Sequence, residues 1–340
     1  MSYYSQDNHG PYQLFDLGDF ALARGGVLPG CQLAYATHGK LNAARDNAVL
    51  VTSWWSGTGK IMEQVYTGAG RALDPARYFI ILASQLGSGI GTSPGNAAGV
   101  QAKGGFPPLA IADDVIAQRR LVESLGIARL ALVFGGSMGA QQAYEWAVRF
   151  PAMVARVAAL AGTARCSDHS RLFSGTLAEA LRSDPRYNGG SYEGALATGL
   201  NRVAGLMAVS GWCPAFYRKG IWKTLGFESA DAFVANFMQG YFGPMDANAL
   251  IGAVAKWQAH DVAHGGDLAA ALAGIKAKVL IMHIGNDLMF PLEDCAADQA
   301  MIPGAALRVI RSDCGHLGLF AIEPDYSTQF DGYLEELMAA

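Results

Sequence analysis

Leu130-Ala131-Leu132-Val133-Phe134-Gly135-Gly136-Ser137-Met138-Gly139-Ala140 is the stretch that decides the fold of this chain. Leu130–Phe134 is a short apolar run that reads as a buried strand. Gly135–Gly139 has the form Gly-x-Ser-x-Gly. The next residues, Ala140-Gln-Gln-Ala-Tyr-Glu-Trp-Ala-Val-Arg-Phe150, read as a helix that stops at Pro151. Strand, sharp turn and helix around such a serine form a nucleophile elbow. Small residues let the chain turn tightly enough to lift the serine side chain above the sheet.

The chain holds a second copy of the pattern. Gly91-Thr92-Ser93-Pro94-Gly95 also fits, with glycine-rich sequence on both sides that reads as loop. Pro94 has no backbone N–H, so the residue after that serine could not donate to an oxyanion. Ser137 is therefore the expected nucleophile.

Outward from the elbow, strands and helices alternate. Gln13–Leu22 and Gly30–Thr37 read as early strands, followed by apolar strands at Ala48–Ser53 and Tyr78–Ala83. A helical stretch, Ile111–Leu125, precedes the elbow strand, and Val154–Ala161 is a further apolar run. Lys278–Ile284 and Leu307–Ile310 read as strands, with Glu293–Met301 helical between them and Tyr326–Met338 as the last helix. This rhythm predicts an α/β fold with a mostly parallel sheet covered on both faces and an antiparallel start. Residues 166–266 break the rhythm with helical pieces and many aromatic residues. They read as a helical cap inserted into a core of residues 1–165 and 267–340. Most of its aromatics are expected to form the cap's own core, and the rest to line a pocket or an oligomer contact.

Composition narrows the partners. The 340 residues are 51% hydrophobic and 16% charged, with a formal net charge of −4 and no cluster of Lys and Arg. Nucleic acid and anionic membrane are poor partners for such a surface. The five cysteines are scattered, with no Cys-x-x-Cys pair. That favours a reducing compartment over a disulfide framework or a zinc site, so no metal is expected. No signal-peptide pattern and no membrane-spanning apolar run is read, and the expected location is the cytoplasm.

A serine hydroxyl is a weak nucleophile until a base takes its proton. The base is usually a histidine held by a carboxylate, in the chain order serine, acid, histidine for an elbow of this kind. His9 and His38 precede the serine, while His169, His260 and His264 lie in the cap. His283 sits inside a strand. His316 remains, in Asp313-Cys-Gly-His-Leu-Gly318, a flexible turn after the last strand. The acid should end the preceding strand, where Asp287 stands; Asp294 and Asp313 are alternatives. Asp113-Asp114 begins a helix and reads as a helix-dipole pair. The oxyanion would be held by the backbone N–H of Met138 and by that of Trp55, in the loop after Ala48–Ser53. Trp54 and Trp55 would wall an apolar acyl pocket, or one of them would pack under the cap.

At these residues the chain resembles the homoserine O-acetyltransferase group of the α/β-hydrolase superfamily. The similar pieces are Gly70-Arg-Ala-Leu-Asp-Pro-Ala-Arg-Tyr-Phe79, Gly135–Gly139 with Glu145-Trp146-Ala147 and Pro151, Asp287 followed by Phe290-Pro291, and Gly315-His316. The resemblance implies an α/β-hydrolase fold with a helical lid and a Ser-Asp-His triad. It also implies a dimer formed through the lid and acyl transfer from acyl-CoA by way of an acyl-serine. Three positions depart from it. Leu317 stands where the group has an aspartate for the amino group of homoserine. Leu206, in Gly205-Leu-Met207, stands where its arginine binds the substrate carboxylate. Trp55-Ser-Gly57 replaces its Leu-Thr-Gly loop. An amino acid taken out of water needs charged partners, so homoserine is expected to bind poorly beside Leu206 and Leu317.

Three functions compete. The first is an esterase-like serine hydrolase for a small ester or related acyl compound, needing no cofactor. The second is an acyltransferase that uses acyl-CoA as co-substrate. The third is a non-catalytic binding protein.

Overall fold

The computed structural model describes residues 3–339. Eight strands form one sheet in the order β1-β2-β4-β3-β5-β6-β7-β8. They are β1 Gln13–Ala21, β2 Val27–His38, β3 Ala48–Thr52, β4 Phe79–Ala83, β5 Leu132–Gly136, β6 Arg156–Leu160, β7 Lys278–Ile284 and β8 Ala306–Ile310. The β1–β2 and β2–β4 pairs are antiparallel and the rest are parallel. The early strands thus form the antiparallel edge of an otherwise parallel α/β sheet, as their polar breaks imply.

Burial follows this arrangement. Every residue of β3 and β5 is buried, because a central parallel strand has helices on both faces. Side chains alternate between two cores. Ala48 and Leu50 pack into one with helices α2 (Ile111–Ser124) and α3 (Met138–Arg149). Val49 and Val51 pack into the other with α1 (Gly59–Tyr66) and α8 (Pro324–Ala339). Helix α1 carries no sequence-level start signal: its first residue is glycine, and the Thr58 side chain makes no capping bond. A Cβ added at Gly59 would lie 3.2 Å from the Leu82 carbonyl oxygen, a tight contact with the backbone of β4.

Between β6 and β7 the chain holds helices and no named strand. Among them are α4 (Asp168–Arg182), α5 (Ala197–Ser210) and α6 (Ala247–Gln258). Many of the aromatics of this segment pack on each other. Trp212 stacks on Phe216 at 4.3 Å, and Phe233 on Phe237 at 5.2 Å. Aromatic pairs in this range add stabilisation beyond their buried area. The segment is tied to the sheet layer by a buried ion pair. Lys256 on α6 donates to Asp114 at 2.8 Å and to the Leu86 carbonyl at 2.9 Å. The Asp113-Asp114 pair therefore divides its work. Asp113 caps α2 through the Ala110 N–H at 2.7 Å. Asp114 holds α6, and burial, partly countered by Lys256, pushes its carboxyl up to about 6. Residues 292–301 form α7 (Leu292–Met301) against β7.

Candidate active site

The elbow is built from close contacts. β5 runs on through Gly135 and Gly136, and Ser137 then takes φ 55° and ψ −121°, ahead of α3. A positive φ is costly for a residue with a side chain and persists where its surroundings fix it. The serine itself is therefore the strained residue, and the glycines serve by having no Cβ. A Cβ on Gly135 would fall 2.3 Å from Gly139 and from Thr52 Oγ1. On Gly139 it would fall 2.6 Å from the Thr52 carbonyl oxygen. The Ser137 N–H donates to the Leu160 carbonyl of β6 at 2.7 Å, which locks the turn.

The structure brings Ser137, His316 and Asp287 together across three parts of the chain. His316 Nε2 lies 2.9 Å from Ser137 Oγ, and His316 Nδ1 lies 2.8 Å from Asp287 Oδ2. All three are buried. Asp287 follows β7, after Asn286 at φ 60°. Its second oxygen, Oδ1, accepts the N–H groups of Met289 at 2.7 Å and Phe290 at 3.0 Å. Both oxygens are thus occupied, so the carboxylate is fixed in direction. His316 lies in a buried 3₁₀ turn, Gly315–Phe320, rather than in a flexible one. The turn is held because the Leu317 N–H donates to the Gly211 carbonyl at 3.0 Å, and the Phe290 ring packs 5.4 Å from the imidazole.

The other candidates have other partners. Asp313 pairs with Lys219. Asp294 lies half-buried on α7. His9 meets Thr58 Oγ1, and His264 meets Glu145 and Arg149. His283 is buried in β7 with neither ring nitrogen bonded among the described residues. His260 is also buried, which pushes its imidazole down to about 3. Ser93 is buried too, and its Oγ meets no partner among the described residues.

A cavity of about 500 Å³, counting its open mouth, reaches Ser137 and His316. Trp54, Trp55, Leu317 and Phe320 line it from one side, and Met207, Phe237, Tyr241 and Trp257 of the helical segment from the other. No Asp, Glu, Lys or Arg lines it. Leu317 stands at the cavity wall. At the second position the wall is formed by Met207, and Leu206 lies outside it, half-buried beside the neighbouring core. One helical residue decides the difference, because successive side chains on a helix point about 100° apart. Trp55 lines the cavity, and its indole N–H donates to the Leu250 carbonyl of α6 at 3.1 Å. Among the described residues, neither the Met138 nor the Trp55 backbone N–H donates to another protein group.

Tyr241 and Phe237 were not separable from the other aromatics by sequence. A π-helical turn, Val234–Met238, leads into the short helix Gln239–Phe242 and sets which of them face the cavity. The extra residue in such a turn shifts the helical phase, which a 3.6-residue pattern does not disclose.

Known proteins resemble the chain over most of its length. A family profile described as alpha/beta hydrolase fold matches residues 56–321. An ethyl acetate hydrolase from Pseudomonas veronii is 50% identical, over 100% of this chain and 99% of its own length. A homoserine O-acetyltransferase from Trichormus variabilis is 35% identical, over 87% of this chain and 86% of its own. The solved acetyl esterase MekB superposes with a TM-score of 0.98, at 50% identity over 99% of both chains.

Proposed function

Since this chain belongs to the alpha/beta hydrolase fold family, we propose that it hydrolyses small, uncharged esters with a short acyl group. It is an esterase-like serine hydrolase, and the transferase chemistry of its more distant relatives is the weaker alternative. The observation that carries the reading is the 2.9 Å contact between His316 Nε2 and Ser137 Oγ, at a cavity lined by no Asp, Glu, Lys or Arg. The acetyl esters in the names of the similar proteins support a short acyl group.

In the proposed reaction His316 takes the Ser137 proton as Oγ attacks the ester carbonyl carbon. Asp287 keeps Nδ1 protonated and stabilises the imidazolium. The N–H groups of Met138 and Trp55 hold the oxyanion. When the tetrahedral intermediate collapses, His316 returns the proton to the leaving alkoxide, and the alcohol departs. Water, deprotonated by His316, then attacks the acyl-serine. The acid leaves and Ser137 recovers its proton. No cofactor enters this cycle; acyl-CoA would take part only as the donor in the transferase alternative. That alternative lacks a recognition element here, because Leu317 and Met207 offer an amino acid acceptor no charge.

Residues 166–266 act in this reading as a cap that closes the apolar half of the pocket, and two copies pair through it. The cysteines of the described residues are all free thiols, which suits the cytoplasm. The test is a series of p-nitrophenyl esters from acetate to octanoate, each with and without homoserine and acetyl-CoA. We expect kcat/KM to fall with chain length and homoserine to leave CoA release unchanged. Homoserine-dependent turnover exceeding hydrolysis would reverse the assignment.

A further inference from the structure

Gln85 follows β4, is 1% exposed, and belongs neither to the cavity wall nor to the catalytic set. Its Nε2 donates at 3.0 Å to the Ser53 carbonyl and at 3.0 Å to the Trp54 carbonyl. The Trp54 carbonyl also accepts the Gly57 N–H at 3.1 Å. The peptide between Trp54 and Trp55 is trans. In a planar trans peptide the C=O and the following N–H point in opposite directions. Pinning the Trp54 carbonyl to a side chain outside the cavity therefore turns the Trp55 N–H the other way. Trp55 lines the cavity with Ser137, and its N–H meets no acceptor among the described residues.

A second observation concerns the other end of the same amide. Gln85 Oε1 is buried with no hydrogen-bond partner among the described residues. A buried amide oxygen without a partner carries a desolvation cost that a methionine of similar size would not. The half of the amide that is used grips two successive carbonyls of one loop. Gln142 reinforces the first of these, with Nε2 3.0 Å from the Ser53 carbonyl.

We infer that Gln85 is a positioning residue: it aims the Trp55 N–H at the oxyanion formed on attack by Ser137. The inference rests on the acyl-serine reading above. The carbonyl oxygen gains its negative charge only during the reaction, so the aim of the donor matters more there than in substrate binding. Loss of Gln85 therefore lowers kcat and leaves KM nearly unchanged.

The experiment compares the full-length wild type with Gln85→Met, Gln85→Glu and Ser137→Ala, using p-nitrophenyl acetate and a thermal melt of each. Gln85→Met is expected to lose about 10- to 100-fold in kcat, with KM within about twofold. Gln85→Glu adds a signature that a structural defect would not give. Its protonated acid can donate to the Trp54 carbonyl, whereas its carboxylate repels both carbonyls. Its activity relative to wild type should thus fall as pH rises through the titration of the new carboxyl. A folded Gln85→Met with kcat within about twofold of wild type overturns the inference. So does a constant ratio of Gln85→Glu to wild type from about pH 5 to about pH 9. If Gln85→Met does not accumulate as folded protein, the Gln85→Glu profile decides. Activity remaining in Ser137→Ala would overturn the acyl-serine reading itself. An inactive Ser137→Ala beside an unimpaired Gln85→Met would overturn only the role of Gln85.

Discussion

Asp287 holds His316 with one carboxylate oxygen, at 2.8 Å, while its other oxygen is held by the N–H groups of Met289 and Phe290. The acid is anchored independently of the histidine that it orients. Asp287→Asn should therefore keep the loop but present an amide to the imidazole, favouring the wrong tautomer. We expect kcat/KM on p-nitrophenyl acetate to drop on the order of 10⁴-fold, the scale of this change in other serine triads. The melting temperature should move little. A loss below about tenfold would remove Asp287 from the proposed role.

The elbow glycines give a stability prediction. Gly135→Ala drives a Cβ to 2.3 Å from Gly139 backbone atoms and from Thr52 Oγ1. Neither neighbour can swing away, because one is backbone and the other is hydrogen-bonded to the Phe134 and Gly139 carbonyls. Urea unfolding should show a loss of about 1–3 kcal/mol, together with loss of esterase activity as Ser137 shifts.

Lys256→Met leaves Asp114 buried beside α6 with no cation. Removing one member of a buried pair costs about 3–5 kcal/mol. The double variant Lys256→Met with Asp114→Asn should recover much of that loss, because no uncompensated charge remains. A Lys256→Met variant as stable as wild type in denaturant melts would mean that the pair is energetically idle.

Asp298 predicts a pH dependence. It is buried, accepts the Ala164 N–H at 2.7 Å, and burial pushes its carboxyl up to about 7. The folded state thus keeps a proton that the unfolded chain releases near pH 4. Between these two values the folded state binds more protons, so this group's contribution is fully present below about pH 4. It falls as pH rises through about 7 and is then constant. Asp298→Asn retains an oxygen for Ala164 and removes the titration. Its melting temperature relative to wild type should be higher at pH 8 than at pH 4, with about 4 kcal/mol as the upper bound. A difference independent of pH would contradict the assignment.

Much of this was legible in the sequence because the decisive features are local. Strands β3 to β7 are short, mainly apolar runs, buried apart from the first residue of some of them, and burial on both faces leaves such a run little else to do. The order of Ser137, Asp287 and His316 singles out one histidine of seven without coordinates. What sequence could not supply was phase and non-local contact. Leu206 and Met207 are neighbours in sequence, and only the packing of α5 shows that Met207 faces the cavity. Helix α1 begins on glycine, so propensity hid it. The ion pair of Asp114 joins residues 142 positions apart, and the grip of Gln85 on Trp54 joins residues 31 apart. The second of these contacts encloses both α1 and β4, and neither has a sequence pattern, because each depends on where the chain returns.

The central claim is that Ser137 carries the acyl group. Intact mass after treatment with an organophosphonate or a sulfonyl fluoride tests it most directly. One covalent adduct per chain, mapped to Ser137 by peptide analysis and absent from Ser137→Ala, is the predicted result. No adduct on the active wild type, or an adduct that persists in Ser137→Ala, would contradict it.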